Sequence, residues 1–268
     1  MATHRNTGTV LDKILDAKRA AIEHRKKVLP ETALKYGVQH ALPLRDFSAA
    51  LSRPGLNIIA ELKPASPSRG VIRENFDPVV LARSLESAGA AALSVLTEEE
   101  FFGGSLKNLR EARKSTALPV LRKDFIFDPW QVLETRANDA DSFLLIVAAL
   151  DDSLLRALLA QGRELGMEPL VEVHTAEELT RALAAGARIV GVNNRNLKTL
   201  EVRMQTSFEL AALIPDDCIA VSESGLRSHD DLARLRDAGF DAFLIGESLM
   251  LAPDPAAALS ALLLPPAP

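Results

Sequence analysis

Eight short apolar segments, each followed by a stretch of helical periodicity, set the strongest limit on how this chain can fold. The segments are rich in Val, Ile and Leu and nearly continuous in hydrophobicity, as is typical of parallel strands covered by helices. They run over Ile58–Leu62, Ala92–Leu96, Pro119–Arg122, Phe143–Val147, Leu170–Val173, Ile189–Val192, Ile219–Ser222 and Ala242–Ile245. The helical stretches lie at about 78–88, 105–115, 128–138, 151–165, 175–185, 206–213, 228–238 and 254–263.

A weak internal repeat supports this alternation. The segments S-A-G-A-A-A-L-S-V, A-A-G-A-R-I-V-G-V and D-A-G-F-D-A-F-L-I each place a glycine after a helix and a strand soon after it. We expect Gly89, Gly186 and Gly239 to end their helices in the left-handed conformation. Eight such units predict a (β/α)8 TIM barrel. The alternative is an open doubly wound sheet, which the lack of a G-x-G-x-x-G after the first strand disfavours.

The sequence predicts a single barrel domain over residues 1–268, in which residues 9–52 are an N-terminal helical extension over the barrel mouth. Thr9 with Asp12 predicts an N-cap, and the amphipathic helix that follows ends at Pro30. A short helical piece is expected around Leu44–Leu51.

Two further expectations concern this N-terminal region. We expect residues 1–8 to be disordered. The cations from Arg19 to Lys27 are expected to form only the solvated face of the first helix.

Composition excludes several classes of protein. A net charge of −5 argues against a general nucleic-acid binder, which usually has a basic face. The longest apolar run, Phe143 to Leu150, is too short to span a membrane. Cys218 is the single cysteine, so no intrachain disulfide can form, and together with an N-terminus lacking an apolar signal core this predicts a cytoplasmic protein. The five histidines show no metal-binding spacing, so we expect no metal site.

Charged side chains gather at the carboxyl ends of the predicted strands, where barrels of this kind carry their chemistry. Strand alternation directs Glu61, Lys63, Lys123, Glu172 and Glu223 to the inward face. Barrel ends also carry charges simply because they reach water, but five on the inner face of apolar strands favour acid–base chemistry. The same strand ends also carry Asn193, Arg195 and Ser224.

A phosphate site is predicted where the seventh and eighth strands end. Gly225 and Gly246 stand there just before helices, and backbone N–H groups at such positions bind phosphate. Ser66, in the loop after the first strand, could add a hydroxyl group.

The remaining candidates at the mouth are less specific. His174 follows Glu172, and we expect it to be a solvated loop residue. Phe101, Phe102 and Phe125 follow the second and third strands. They either pack at the rim or accept a flat ring.

Seven motifs, in order along nearly the whole chain, resemble the indole-3-glycerol-phosphate synthase family. They are A-E-L-K-P-A-S-P-S-R-G, L-T-E-E-E-F-F-G-G-S, V-L-R-K-D-F, L-V-E-V-H, I-V-G-V-N-N-R-N-L, S-E-S-G and L-I-G-E-S-L-M. The resemblance implies that 1-(2-carboxyphenylamino)-1-deoxyribulose 5-phosphate is cyclised, decarboxylated and dehydrated to indole-3-glycerol phosphate. It implies no cofactor, and other enzymes of tryptophan biosynthesis as potential partners.

The resemblance also implies roles for individual residues. Lys123 matches the acid that protonates the ketone oxygen, and Glu172 matches the group that assists loss of the hydroxyl. Lys63 and Arg195 match contacts to the substrate carboxylate. The remaining matches orient the lysines and hydroxyls (Glu61, Asn193, Glu223, Ser224), bind the phosphate (Ser66, Gly225, Gly246 and the backbone of Glu247) and enclose the aromatic ring (Phe102, Phe125).

One position departs from the family pattern, and two other functions stay open. Many relatives carry a basic residue just after the first-strand lysine, whereas here Pro64 must end the strand. A Schiff-base aldolase is an alternative, because barrels often place a reactive lysine at a strand end. A non-catalytic sugar-phosphate-binding barrel is the other.

Overall fold

Eight parallel strands close into a barrel in the computed structural model, which describes residues 8–67 and 69–265. They are β1 (Asn57–Leu62), β2 (Ala92–Leu96), β3 (Val120–Lys123), β4 (Ser142–Ile146), β5 (Leu170–Val173), β6 (Ile189–Asn193), β7 (Ile219–Glu223) and β8 (Ala242–Ile245). Each strand pairs with its neighbours in sequence, and β1 also pairs with β8. The predicted (β/α)8 barrel is therefore confirmed, and the open sheet is wrong.

Twelve α-helices are present in the described part of the chain. They are α1 (Val10–Val28), α2 (Glu31–Gln39), α3 (Phe47–Leu51), α4 (Pro78–Ser87), α5 (Leu106–Ser115), α6 (Pro129–Ala137), α7 (Asp152–Glu164), α8 (Ala176–Ala184), α9 (Gln205–Ala211), α10 (His229–Asp237), α11 (Glu247–Leu251) and α12 (Pro255–Leu263). Gly89, Gly186 and Gly239 follow α4, α8 and α10 with φ of 100°, 88° and 108°. The predicted left-handed helix ends are confirmed.

Four elements were not predicted, the shortest of which is a 3-10 helix over Val147–Ala149 directly after β4. Helix α2 begins directly after Pro30, because proline both ends α1 and suits the start of the next helix with its φ of −68°. Helix α11 begins immediately after β8 and precedes the predicted α12. A small hairpin pairs Ala65–Ser66 with Gly70–Val71 in the loop after β1, which ends at Leu62 as Pro64 requires. The expected disorder of residues 1–8 falls, except for Gly8, outside the described residues.

The core fills the barrel and continues between the strands and the surrounding helices. Every residue of β1 is buried, because one strand face looks into the barrel and the other packs on helices. On the inner face, Ile59 is followed by Glu61, so the apolar layer gives way to charge toward the carboxyl end. Within the described residues, no helix is long and apolar enough to cross a membrane.

Helix α1 is held against the barrel by ion pairs, so the expectation of a purely solvated cationic face is wrong. Lys18 Nζ lies 2.7 Å from Asp124 Oδ1 in a pair whose side chains are 8% and 0% exposed. Arg25 contacts Glu134, and Lys26 Nζ lies 2.5 Å from Asp128 Oδ2. These carboxylates lie far away in sequence, which is why helical periodicity alone did not reveal them.

The N-terminal end of α1 reaches the mouth of the barrel. The predicted cap is present: Thr9 and Asp12 form a capping box. In the first two turns of the helix, the buried side chains of Leu11 and Ile14 line the large cavity at the carboxyl ends of the strands. Residues of α1 therefore form part of the cavity wall.

The Lys18–Asp124 pair gives a test of this docking. We expect Lys18→Met to lower the free energy of unfolding by about 3 kcal/mol, because removing one member of a buried pair leaves the other charge poorly compensated. Asp124 keeps Arg122 at 2.9 Å, so a larger loss is not expected. Urea unfolding at neutral pH measures the change.

A pH series sharpens the same test. Although burial opposes ionisation, Lys18 and Arg122 hold the pKa of Asp124 well below its usual range. The contribution of ionised Asp124 to the stability of the folded state is therefore fully present above the unfolded-state pKa of about 3.9. It is lost as the pH falls below that value toward the folded-state pKa. The difference between wild type and Lys18→Met should shrink below that pH. Lys35→Met, which removes an exposed pair with Glu31, is the matched control. Equal effects of the two variants would contradict the prediction.

Candidate active site

The fourteen residues to which the family resemblance assigns a role all line one cavity of about 780 Å³ at the carboxyl ends of the strands. The charged and polar members are Glu61, Lys63, Ser66, Lys123, Glu172, Asn193, Arg195, Glu223, Ser224 and Glu247, and the others are Phe102, Phe125, Gly225 and Gly246. Because parallel strands end on the same side of the barrel, these residues from seven strand ends converge on this space.

Lys123, at the end of β3, occupies the centre of the charged cluster. Its Nζ lies 2.8 Å from Glu223 Oε2 and 3.1 Å from Glu172 Oε2. Burial disfavours the charged amine, but the carboxylates of Glu223, Glu172 and Glu61 outweigh it and raise the pKa of Lys123 well above its usual value. Lys123 is therefore an ammonium group and a proton donor at neutral pH.

The two glutamates beside Lys123 are driven apart in pKa. Burial opposes ionisation of Glu172, yet Lys123 and His174 together hold its pKa well below the usual range. Burial raises the pKa of Glu223 despite Lys123, and the neighbouring charge of Glu172 adds to the rise. Two carboxyl groups with separated pKa values can perform different proton transfers in one site.

Glu61 and Lys63 form a second pair on β1, with Lys63 Nζ 3.0 Å from Glu61 Oε1. They share a face because side chains alternate along a strand. Two glycines make room for the acids. A Cβ on Gly246 would overlap Glu61 Oε1, and a Cβ on Gly191 would overlap Glu223 Oε1. Sequence reasoning missed the role of Gly191, although an isolated glycine within a strand indicates close approach of another group.

The turn after β7 has a left-handed backbone and lines the cavity. Ser224 and Gly225 both have positive φ, at 68° and 84°. Such a turn exposes successive N–H groups that can bind an anion. Asn194 supports it, because its Nδ2 donates to Ser224 O at 3.0 Å. Asn194 is 2% exposed and was missed, since its predicted strand gave no reason to prefer it over Asn193.

The other predicted phosphate contacts lie along the same wall. Ser66 is buried in the hairpin after β1, and Gly246 precedes α11. The carboxylate of Glu247 pairs with Arg69 Nε at 3.0 Å. The Glu247 carboxylate is thus partly neutralised beside the backbone proposed to meet the phosphate.

An aromatic wall completes another part of the cavity. The rings of Phe102 and Phe125 lie 6.0 Å apart between centroids, tilted by 41°. Phe101 is not part of the lining. Glu98, which is 4% exposed, organises this loop: its carboxylate accepts the backbone N–H groups of Phe101 at 2.7 Å and Phe102 at 3.1 Å. Sequence reasoning missed this role of Glu98.

Asn193 and Arg195 stand at the end of β6. Asn193 Oδ1 accepts the backbone N–H of Arg195 at 3.0 Å, and Arg195 Nη1 donates to Leu200 O at 3.2 Å. Arg195 lines both the large cavity and a smaller side cavity of about 460 Å³ between the β5–α8 and β6–α9 loops.

His174 is not the solvated loop residue expected from the sequence. Its side chain is 9% exposed and lies between Glu172 and Glu178. Although burial disfavours the imidazolium, these two carboxylates raise the pKa of His174 to about 10. The expectation failed because the sequence does not show that the side chain of Glu178, in the first turn of α8, reaches back to the His174 ring.

Fold and cavity together define an acid–base enzyme built on a (β/α)8 barrel, with an ammonium group and several carboxylates at the carboxyl ends of its strands. The family model described as indole-3-glycerol phosphate synthase matches residues 11–262, and the chain belongs to this family. It is therefore a carboxy-lyase that acts on a small phosphate-bearing molecule.

Relatives with this family name are similar over nearly their whole length. The chain is 50% identical to the indole-3-glycerol phosphate synthase of Roseiflexus castenholzii, over 92% of this chain and 95% of the relative. It is 48% identical to that of Rhodococcus jostii, over 94% of each chain. The Koribacter versatilis protein is also 48% identical, over 95% of this chain and 99% of the relative.

Solved structures of other barrels show the fold alone. The 3-hexulose-6-phosphate synthase of Salmonella typhimurium has a TM-score of 0.62 at 13% identity, over 77% of this chain and 96% of that chain. Thiamine phosphate pyrophosphorylase from Pyrococcus furiosus has a TM-score of 0.58 at 17% identity, over 79% and 95%.

Proposed function

We propose that the chain converts 1-(2-carboxyphenylamino)-1-deoxyribulose 5-phosphate into indole-3-glycerol phosphate, carbon dioxide and water, as an indole-3-glycerol-phosphate synthase. The observation that carries this proposal is Lys123, a buried ammonium group between two glutamates in a cavity that also has an aromatic wall and the left-handed turn after β7. The substrate has parts that match each of these: a ketone, a benzoate ring and a phosphate.

In the first step, Lys123 protonates the ketone oxygen while the ring carbon that bears the carboxylate attacks the ketone carbon. The new carbon–carbon bond closes the five-membered ring, and carbon dioxide leaves with its bonding electrons returning to the ring. Glu223 and Glu61 hold Lys123 charged and direct it toward the oxygen. General acid catalysis of this kind contributes about 10²- to 10⁴-fold to a rate.

Dehydration follows: Glu172 takes a proton from the ring, and the new hydroxyl group leaves as water with a proton from Lys63, the second ammonium group at the mouth. Glu172 and solvent then reprotonate the two lysines. Glu172 is the base for this step, because its lowered pKa keeps it ionised. Ser224 and Asn193 orient the hydroxyl groups of the sugar chain. No external oxidant or reductant is needed, since the carboxylate form of the substrate and one proton from solvent supply all the atoms of the three products.

The two ends of the substrate are anionic and meet different parts of the wall. Lys63 and Arg195 bind the benzoate carboxylate, and Phe102 and Phe125 enclose the ring. Ser66 and the backbone N–H groups at Gly225, Gly246 and Glu247 bind the phosphate. Holding both ends brings the ring carbon to the ketone, and such positioning lowers the barrier in its own right.

The raised pKa of Lys123 distinguishes this proposal from a Schiff-base aldolase. A Schiff base requires a neutral amine as nucleophile, whereas Lys123 stays protonated beside Glu223 and Glu172. A sugar-phosphate binder without catalysis would leave this cluster without a function.

The test is a fluorescence assay of the purified full chain with the anilino-deoxyribulose phosphate. We expect formation of the fluorescent indole product together with an equal amount of carbon dioxide. Borohydride added during turnover should leave no adduct on Lys63 or Lys123. Absence of product at every pH would overturn the proposal, and a reduced adduct would favour the aldolase.

The setting of the reaction completes the proposal. The cytoplasm, a reducing compartment, suits a chain with the single free thiol of Cys218. Association with other enzymes of tryptophan biosynthesis stays a prediction, which co-purification of the full chain with those enzymes would test.

A further inference from the structure

His174 and Glu172 are in contact between the two cavities, with Glu172 lining the large cavity and His174 lining the side cavity. Each carboxylate oxygen of Glu172 faces its own cation: Oε2 lies 3.1 Å from Lys123 Nζ, and Oε1 lies 3.3 Å from His174 Nε2. Glu172 is 3% exposed, so these cations rather than water determine where its carboxylate points.

The other side of the His174 ring is fixed as well. Its Nδ1 lies 3.1 Å from Glu178 Oε2, and the same oxygen accepts the backbone N–H of His174 at 2.7 Å. Glu178 is in turn anchored in the first turn of α8, where its own N–H donates to Thr175 Oγ1 at 3.2 Å. Both ring nitrogens therefore lie within ion-pair distance of carboxylate oxygens, which favours a proton on each nitrogen, although the Nε2 contact is not aligned as a hydrogen bond.

Simple packing does not account for this arrangement. Burying a charged imidazolium costs free energy unless it is paired, and an apolar residue would fill the space at lower cost. The side cavity that His174 lines also has the charged residues Glu177, Arg181, Arg195, Lys198, Glu201 and Arg203 in its wall. In the described part of the chain, the ion pairs of the ring are those with Glu172 and Glu178.

We propose that His174 is a positioning residue for turnover, which holds the Glu172 carboxylate in place and ionised between itself and Lys123. The proposal rests on the proposed function, because it assumes that Glu172 is the base of the dehydration. Without His174, Glu172 is free to turn both oxygens toward Lys123. Its pKa would also rise, because one of the two cations that lower it is gone.

The test compares His174→Gln, Glu178→Gln and the control His229→Gln in the full-length chain. His229 lies on α10 with its Nδ1 against Leu262 O and does not line the cavity. We expect His174→Gln to lower kcat on the order of tenfold to a hundredfold, the usual size of losing a supporting partner, with KM changed less than about threefold. Glu178→Gln should have a smaller effect in the same direction, and His229→Gln none.

The pH profile separates positioning from a general loss of structure. Because removal of the imidazolium raises the pKa of Glu172, the acid limb of kcat should move to higher pH in His174→Gln. A folded His174→Gln variant with unchanged kcat and acid limb would overturn the proposal.

A spectroscopic measurement is independent of turnover. In a chain labelled with ¹⁵N-histidine, the nitrogen signals that disappear in the His174→Gln variant identify the His174 ring. In the wild-type protein at pH 8, these signals should be typical of a ring with a proton on both nitrogens. A neutral ring at that pH would overturn the proposal even if His174→Gln does not fold. Wild-type turnover in the same preparation shows separately whether the proposed function holds.

Discussion

Lys123→Ala is expected to lower kcat by about 10²- to 10⁴-fold, the contribution of a well-placed general acid. The substrate would lose the proton donor for its ketone oxygen, and Glu172 and Glu223 would be left without the cation between them. Affinity for an unreactive analogue that keeps the carboxylate and the phosphate should change only a few-fold, because other residues contact those groups. Steady-state kinetics and calorimetric titration with the analogue measure the two quantities.

The variant has a second consequence that does not depend on substrate. Glu172 and Glu223 would lie close together in a buried site, so at least one would take up a proton and its pKa would rise. We expect proton uptake by Lys123→Ala relative to wild type near neutral pH, measured by infrared absorption of the protonated carboxyl group. Lys107→Ala removes an exposed lysine on α5 and is the control. A Lys123→Ala variant with near-normal kcat would show that another group supplies the proton.

Lys63 offers a comparison on the same wall. It is proposed to contact the substrate carboxylate, so Lys63→Ala should raise KM more than Lys123→Ala does. The two lysines differ in their partners, since Lys63 has Glu61 at 3.0 Å whereas Lys123 has two glutamates within 3.1 Å. If Lys123→Ala raises KM more than Lys63→Ala does, the roles assigned to the two lysines are reversed.

Local patterns in the sequence were sufficient to predict the barrel. Parallel strands covered on both faces are apolar throughout, and glycine-ended helices punctuate them, so neither property depends on distant contacts. The inward-facing charged residues at the mouth could also be predicted from a local pattern. Side chains alternate along a strand, so Glu61 and Lys63 must lie on the same face. The bounds of β1, β3, β4, β6 and β7 each differed by one residue at one or both ends, since strand ends depend on pairing with neighbours.

The contacts that the sequence did not reveal join residues whose proximity the fold creates. Lys18 meets Asp124 only after α1 has packed on the barrel. His174 looked solvated because the position of the Glu178 side chain depends on how α8 begins. The sequence shows Gly191 as an isolated glycine in a strand. It does not show which side chain approaches this glycine, because that side chain, Glu223, comes from β7.

Gly191→Ala is expected to lower kcat about a hundredfold through displacement of Glu223, without any change to a charged group. Gly191 pairs with Glu172 in the barrel register, and the added Cβ would overlap Glu223 Oε1 and lie 3.2 Å from Leu170 Cδ1. Glu223, whose carboxylate is the one nearest to Lys123 Nζ at 2.8 Å, would therefore have to move away. A misplacement of about 1 Å in such a site costs on the order of 10²-fold.

Overpacking alone would also destabilise the barrel, by about 1–3 kcal/mol, so turnover must be measured where the variant is fully folded. Gly37→Ala is the matched control: its Cβ would crowd Ala137 where α2 packs on α6, away from the cavity. It should change the free energy of unfolding and leave kcat of the folded enzyme unchanged. In Gly191→Ala, the shorter side chain of an added Glu223→Asp substitution should relieve the overlap and recover part of the stability. If Gly191→Ala keeps wild-type kcat, Glu223 is not required at its present position beside Lys123.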